Sequence, residues 1–154
     1  MYRKEALQEF EELKKKYKEL PALEEIESEL DIFIDRPPVL TTLLGRLYDT
    51  FQNISRHYMV VVQPSSYIDA VESDFYKEDE SEKIKEQLKQ FLFITHDIIS
   101  AFYSDDKKRA EVFMKYFKLF RKEYKEMARK FFSEQAELWK KYEFKAKKSN
   151  SYMG

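Results

Sequence analysis

The sequence predicts an all-α fold, a bundle of five to six helices closed by a long C-terminal helix. Three observations carry that. Apolar residues recur at alternating spacings of three and four along most of the chain. Only 2 Gly and 4 Pro occur in 154 residues, too few for the tight turns of a β-rich fold. Charged residues make up 37% and are mostly Lys and Glu, which suit helix surfaces.

Over residues 3–20, Ala6, Phe10, Leu13, Tyr17 and Leu20 form one apolar stripe of an amphipathic helix. Pro21 suits the first turn of a second helix, in which Leu23, Ile26, Leu30, Phe33 and Ile34 continue the pattern. "DRPP" at 35–38 stops it, because two prolines cannot sit in a helix interior. A third helix is predicted from Pro38 to Val62, with Leu40, Leu43, Leu44, Leu47, Phe51, Ile54, Tyr58 and Val61 inward and Gly45 as a candidate close-packing position. "QPSS" breaks the chain and offers Ser65 or Ser66 as the cap of a short helix over 67–76, carrying Tyr67, Ile68, Val71 and Phe75. "KEDESE" at 77–82 reads as a charged loop, with Ser81 capping a helix that runs to Tyr103. After "SDD" at 104–106, nothing stops a last helix before about residue 147. The chain thus reads as one domain over 1–154, with N-terminal helices in 3–34, a bundle core in 38–147 and a frayed tail at 148–154.

The last helix is the most unusual segment. Ala110, Phe113, Phe117, Phe120, Tyr124, Met127 and Phe131 follow a heptad, which Glu134 interrupts and Leu138 resumes, the pattern of a coiled-coil seam. Lys115, Lys118, Lys122, Lys125 and Arg129 keep the same rhythm two residues out of phase, about 200° around the helix. Aromatics and cations therefore fall on different faces. A single-strand binder stacks bases on aromatics beside its phosphate contacts, so this arrangement favours a core and a solvated face. The five cations remain a candidate anion-binding face. Residues 105–154 carry 15 basic and 8 acidic side chains, against 6 and 11 in residues 1–35. The front half either neutralises the tail within the fold or leaves it free for an anionic partner.

Length adds a constraint. A helix over 106–147 spans about 60 Å, while 38–62 and 82–103 reach only about 33–37 Å. The overhang carries Phe131, Phe132, Leu138, Trp139 and Tyr142, which point to more than one side. The helix at 3–20 is long enough to cover one flank. A second copy of the chain covers the other, so a homodimer is expected, unless a kink near Ser133–Glu134 folds the end back.

Catalytic patterns are missing. There is no Cys, which excludes thiol chemistry and Cys-based zinc sites and fits a cytoplasmic protein; scarce Cys with abundant Lys and Glu is also a thermophile trait. The charged start has no apolar signal core, and the longest aliphatic run, "MVVV", is too short to span a membrane. His57 and His96 lie in neither Glu-x-x-His nor His-Glu-x-x-His, and no Gly-rich phosphate loop or nucleophile elbow occurs. No metal or cofactor is expected. One polar constellation stands out: Arg46, Asp49, Asn53, Arg56 and His57 on the helix at 38–62, and His96 and Asp97 on that at 82–103. If those helices pair, the groups line one cleft suited to a phosphate or to acid–base work.

"LTTLLGRLYDTF" at 40–51, followed downstream by the "FMKYF" helix, faintly resembles the small all-helical subunits of RNA-guided CRISPR effector complexes. The likeness is confined to those segments, and the chain between them shows no matching motif. The resemblance implies a helical accessory subunit of a ribonucleoprotein and carries over no site residue. From the residues, the expected function is a non-enzymatic, self-associating interaction or assembly protein, with accessory nucleic-acid binding as the alternative.

Overall fold

The computed structural model describes residues 2–144. In chain order it holds α1 (Tyr2–Lys16), α2 (Leu23–Leu30), α3 (Val39–Val62), α4 (Tyr67–Asp74), α5 (Glu78–Phe102), α6 (Asp106–Leu119), a π-helical turn (Phe120–Tyr124) and α7 (Lys125–Lys141). The fold is all-α. The last three segments run on as one rod of 36 residues, about 54 Å long.

α3 and α5 form the most extensive helix pair. Both are long and carry an apolar face, and every residue predicted to face inward on α3 is buried. Phe51 sits at the centre, its ring 6.1 Å from Phe91, 6.4 Å from Tyr116, 5.9 Å from Phe120 and 5.8 Å from Tyr124. The last three of these pairs are edge-on, and pairs of that kind add about 0.5–1.5 kcal/mol each to the burial of the rings. The buried apolar residues form one contiguous cluster from Ala6 to Phe131. Ser55 and Thr95 enter it because each hydroxyl donates to a carbonyl of its own helix, Phe51 O at 2.8 Å and Leu92 O at 2.9 Å.

Several boundaries differ from expectation. α1 ends at Lys16 rather than Leu20. Pro21 disfavours helical geometry at the residue before it, and Leu20 turns inward to 2% exposure. α2 closes at Leu30, where Asp31 takes the left-handed conformation (φ 50°) and the Ile32 N–H returns to Glu27 O. The Pro37–Pro38 peptide is cis. α4 begins on Ser66, whose hydroxyl accepts from the Asp69 N–H at 3.1 Å. "KEDESE" is no loop: α5 starts at Glu78, with Glu78, Asp79 and Glu80 in its first turn. Three acids at a helix N-terminus are favoured by the dipole, and the Glu80 carboxylate accepts from the Lys77 N–H at 3.1 Å. At the other end Tyr142 is extended (φ −74°, ψ 133°), so the rod stops at Lys141. The expected tail at 148–154 lies outside the described residues.

The register of the heptad seam also changes. Buried positions run 110, 113, 117, 120, 124 and then 128, 131 and 135, not 127, 131 and 134. Two spacings of four in succession meet at Tyr124. The π-helical turn supplies the extra residue that keeps both stretches facing the core. Met127 is accordingly half-buried, Ala128 takes its place, and Gln135 replaces the exposed Glu134 as the seam's polar member. The helix is not broken at Ser133–Glu134; both lie within α7.

The rod's overhang is covered by α4, not α1. Phe75, just after α4, packs 5.1 Å from Trp139, and Gln135 Nε2 donates to Glu72 at 3.0 Å. α1 and α2 lie instead against the start of α3, with α2 also against the joint of the rod. There Arg3 binds Glu27 at 2.8 and 2.9 Å, the Val39 N–H donates to Glu9 at 2.6 Å, and Lys125 meets Glu29 at 2.9 Å.

Candidate functional site

The first candidate is a cleft of about 560 Å3 where the end of α2, the outer face of α3 and the π-helical joint of the rod converge. Arg46, Asp49 and Asn53 line it, one helical turn after another along α3. Opposite them stand Glu29 and Asp31 of the α2 terminus and Lys125 and Arg129 of α7. The charges are mixed and partly committed. Arg46 Nε donates to Leu30 O at 2.9 Å, satisfying one of the carbonyls left free at the end of α2. Lys125 pairs with Glu29, and Arg129 Nε donates to Glu126 at 2.9 Å.

The other expected members of this cleft go elsewhere. α3 and α5 do pair, but through Phe51, Tyr58 and Phe91, so their polar groups face away from the seam. His57 is exposed, and its ring stacks edge-on 4.9 Å from Phe132. Arg56 is exposed beside it. His96 is exposed on α5, with Nδ1 2.8 Å from Leu92 O; a carbonyl only accepts, so this nitrogen carries the proton. Asp97 accepts from the Tyr116 hydroxyl at 2.6 Å. Burial first, and then that carboxylate, push the Tyr116 phenol up. The structure therefore brings Arg46, Asp49 and Asn53 together and leaves His57, His96 and Asp97 with three separate neighbours. Among the described residues, no group of three or more potential acidic or histidine ligands is placed to hold a metal ion.

The five cations of the basic row, Lys115, Lys118, Lys122, Lys125 and Arg129, are all exposed. They differ in company. Glu25 and Glu29, one turn apart on α2, meet Arg121 at 3.1 Å and Lys125 at 2.9 Å. The acidic front of the chain thus sits against the basic tail at the joint. Lys115, Lys118 and Lys122 border an open groove instead.

The expected interface residues divide as well. Phe131 is core, stacked 4.0 Å from Tyr58 and only 5% exposed. Phe132 and Leu138 are half-buried, Phe132 against His57. Trp139 and Tyr142 join an aromatic cluster at the far end of the bundle. Phe75 lies 5.1 and 6.0 Å from them, Phe144 lies 5.0 Å from Tyr142, and Tyr67 adjoins Tyr142. In this cluster Tyr67 is 66% and Phe144 63% exposed, and the neighbouring Ile68 is 45% exposed. Of the apolar residues that the short helix carries, only Val71 is buried within α4. No local signal marks this patch, because Tyr67 and Phe144 are far apart in sequence.

Comparison with protein-family models, curated proteins and solved structures finds no match. The class is therefore defined by the fold alone, an all-α helical bundle. Among the described residues no helix is long and apolar enough to cross a membrane.

Proposed function

We propose that this chain is a non-enzymatic helical assembly protein that pairs with a second copy of itself through the aromatic end of the bundle. The observation that carries this reading is the cluster of Tyr67, Phe75, Trp139, Tyr142 and Phe144, which remains partly wet after α4 has covered what it can. Contiguous exposed aromatics rimmed by polar groups mark interaction surfaces. Aromatic side chains are also the commonest anchors of binding energy. A two-fold pair buries the same patch on both copies and is the commonest closed assembly. The joint cleft supports catalysis less well, because its cations already bind Leu30 O, Glu29 and Glu126.

Sedimentation equilibrium at tens of micromolar tests the proposal. The expected mass is that of two chains, falling to one chain when Tyr67 and Phe144 are both replaced by Ser. These positions are exposed, so the helical content is expected to persist. One-chain mass for the unaltered protein overturns the reading.

A further inference from the structure

A groove of about 1200 Å3 runs along the outer face of the rod beside the α1–α2 connection. Its floor is apolar: Met114 and Leu119 are half-buried, Pro21 flanks them, and Phe117 closes the bottom at 1% exposure. Arg121 lies over the Phe117 ring, 5.5 Å from its centre. Lys115, Lys118 and Lys122 stand along one side. Toward the start of the rod the groove continues into a second cleft of about 510 Å3, which shares Glu19, Glu111 and Met114 with it. Lys16, Lys18 and Lys107 edge that extension. The combined channel has six lysines on its two banks and only two carboxylates, Glu19 and Glu111. From Lys107 to Lys122 the rod advances about 22 Å, the length of about four helical turns.

We propose that this channel docks an acidic amphipathic helix of a partner protein. Such a helix lays its apolar stripe on Met114 and Leu119 and sets its carboxylates against the lysine banks, the helix-in-groove mode of recognition. An apolar floor between basic banks is what that ligand needs on both counts. A nucleic acid needs the banks but gains little from this floor. Its bases stack on exposed rings, and Phe117 is turned into the core. The inference rests on the reading of the chain as an interaction protein, but not on its self-association.

The probe is a fluorescein-labelled peptide of about four helical turns, with Leu at helical spacing on one face and Glu on the rest. It is titrated by anisotropy into the full chain at low salt. Controls are a scramble of the same composition and a single-stranded oligouridine. Saturable binding of the patterned peptide is expected, with the scramble at least about tenfold weaker, since it keeps the charge and loses the stripe. The K115E/K118E/K122E variant is expected to lose at least about tenfold in affinity, because opposed charges become like charges. Those three side chains are exposed, and a circular dichroism melt confirms that the variant folds. No binding by the patterned peptide, equal binding by the scramble, or displacement of the peptide by oligouridine each overturns the proposal. So does a two-chain mass that falls to one chain in the triple variant, since a second copy then occupies the channel. The sedimentation mass of the unaltered protein tests self-association separately, so the two readings fail independently.

Discussion

The two halves of the C-terminal rod are built from similar residues and end in different environments. Before the π-helical turn, Ala110, Val112, Phe113, Tyr116 and Phe117 are all closed off, because α6 packs on both α3 and α5. After it, only Ala128, Phe131 and Gln135 of α7 are buried, and Trp139 and Tyr142 share short α4 and Phe75 as their cover. Composition does not separate the halves; the length of their neighbours does. A helix can bury only the stretch that its partners reach. The far half therefore keeps a wet aromatic end, and the near half becomes core with a groove on its outside.

The sharpest way to break this comparison is to delete one ring from each half. Phe117→Ala is expected to destabilise the protein by about 3–5 kcal/mol, through lost transfer energy and the cavity it leaves. Trp139→Ala, at a half-buried position, is expected to cost only about 1–2 kcal/mol. Denaturant melts showing equal costs would mean that the far half is as closed as the near one. An unchanged sedimentation mass in Trp139→Ala would also count against the aromatic end as the contact between copies.

The clamp of α1 on α2 offers a smaller and pH-dependent test. Burial alone raises the pKa of Glu27, but the Arg3 hydrogen bonds, the Ile34 N–H at 2.8 Å and the Arg3 charge outweigh it and hold the carboxyl below its ordinary range. A group lowered in the folded state adds stability that is present above its unfolded value, about pH 4.3, and is lost as pH falls through the folded value. Glu27→Gln is expected to cost about 1–2 kcal/mol at neutral pH. The difference from the unaltered protein should shrink on acidification below about pH 5. Urea midpoints measured across that range check it, and a difference that grows in acid would contradict the sign.

Two milder substitutions sharpen the picture of the near half. A Cβ on Gly45 would meet Phe102 Cζ at 3.8 Å, an ordinary contact. Close packing therefore does not require this glycine, and Gly45→Ala is expected to raise stability by about 0.5–1 kcal/mol through helix propensity. A loss instead would show that α3 and the end of α5 approach more closely than this. Lys118→Ala is expected to change stability by less than about 0.5 kcal/mol, as at most surface positions. The same change should weaken binding of the patterned acidic peptide, which separates a role in docking from a role in folding.

Helix identity was legible in the residues because it rests on local chemistry. The apolar period of α3, the Ser66 cap and the Asp105 cap are each contained within a few positions. The start of α5 was hidden by its composition, since a run of acids reads equally as a loop or as a helix N-terminus. What lay beyond any local pattern was which helix covers which. α4 was too short and too weakly apolar to reveal that it caps the rod's far end. The pairing of Glu25 with Arg121 joins residues from opposite ends of the chain. The heptad count also failed at one place, because whether a helix absorbs two successive spacings of four by a π-helical turn depends on the partners on both sides of it. The chain's own letters determined an all-α bundle with a long aromatic last helix. Only tertiary packing decided that Arg46, Asp49 and Asn53 meet α2 rather than His96, that the acidic front lies against the basic joint, and which aromatics stay wet. Periodicity specifies the face a helix must bury, and the lengths and positions of its neighbours determine how much of that face is covered.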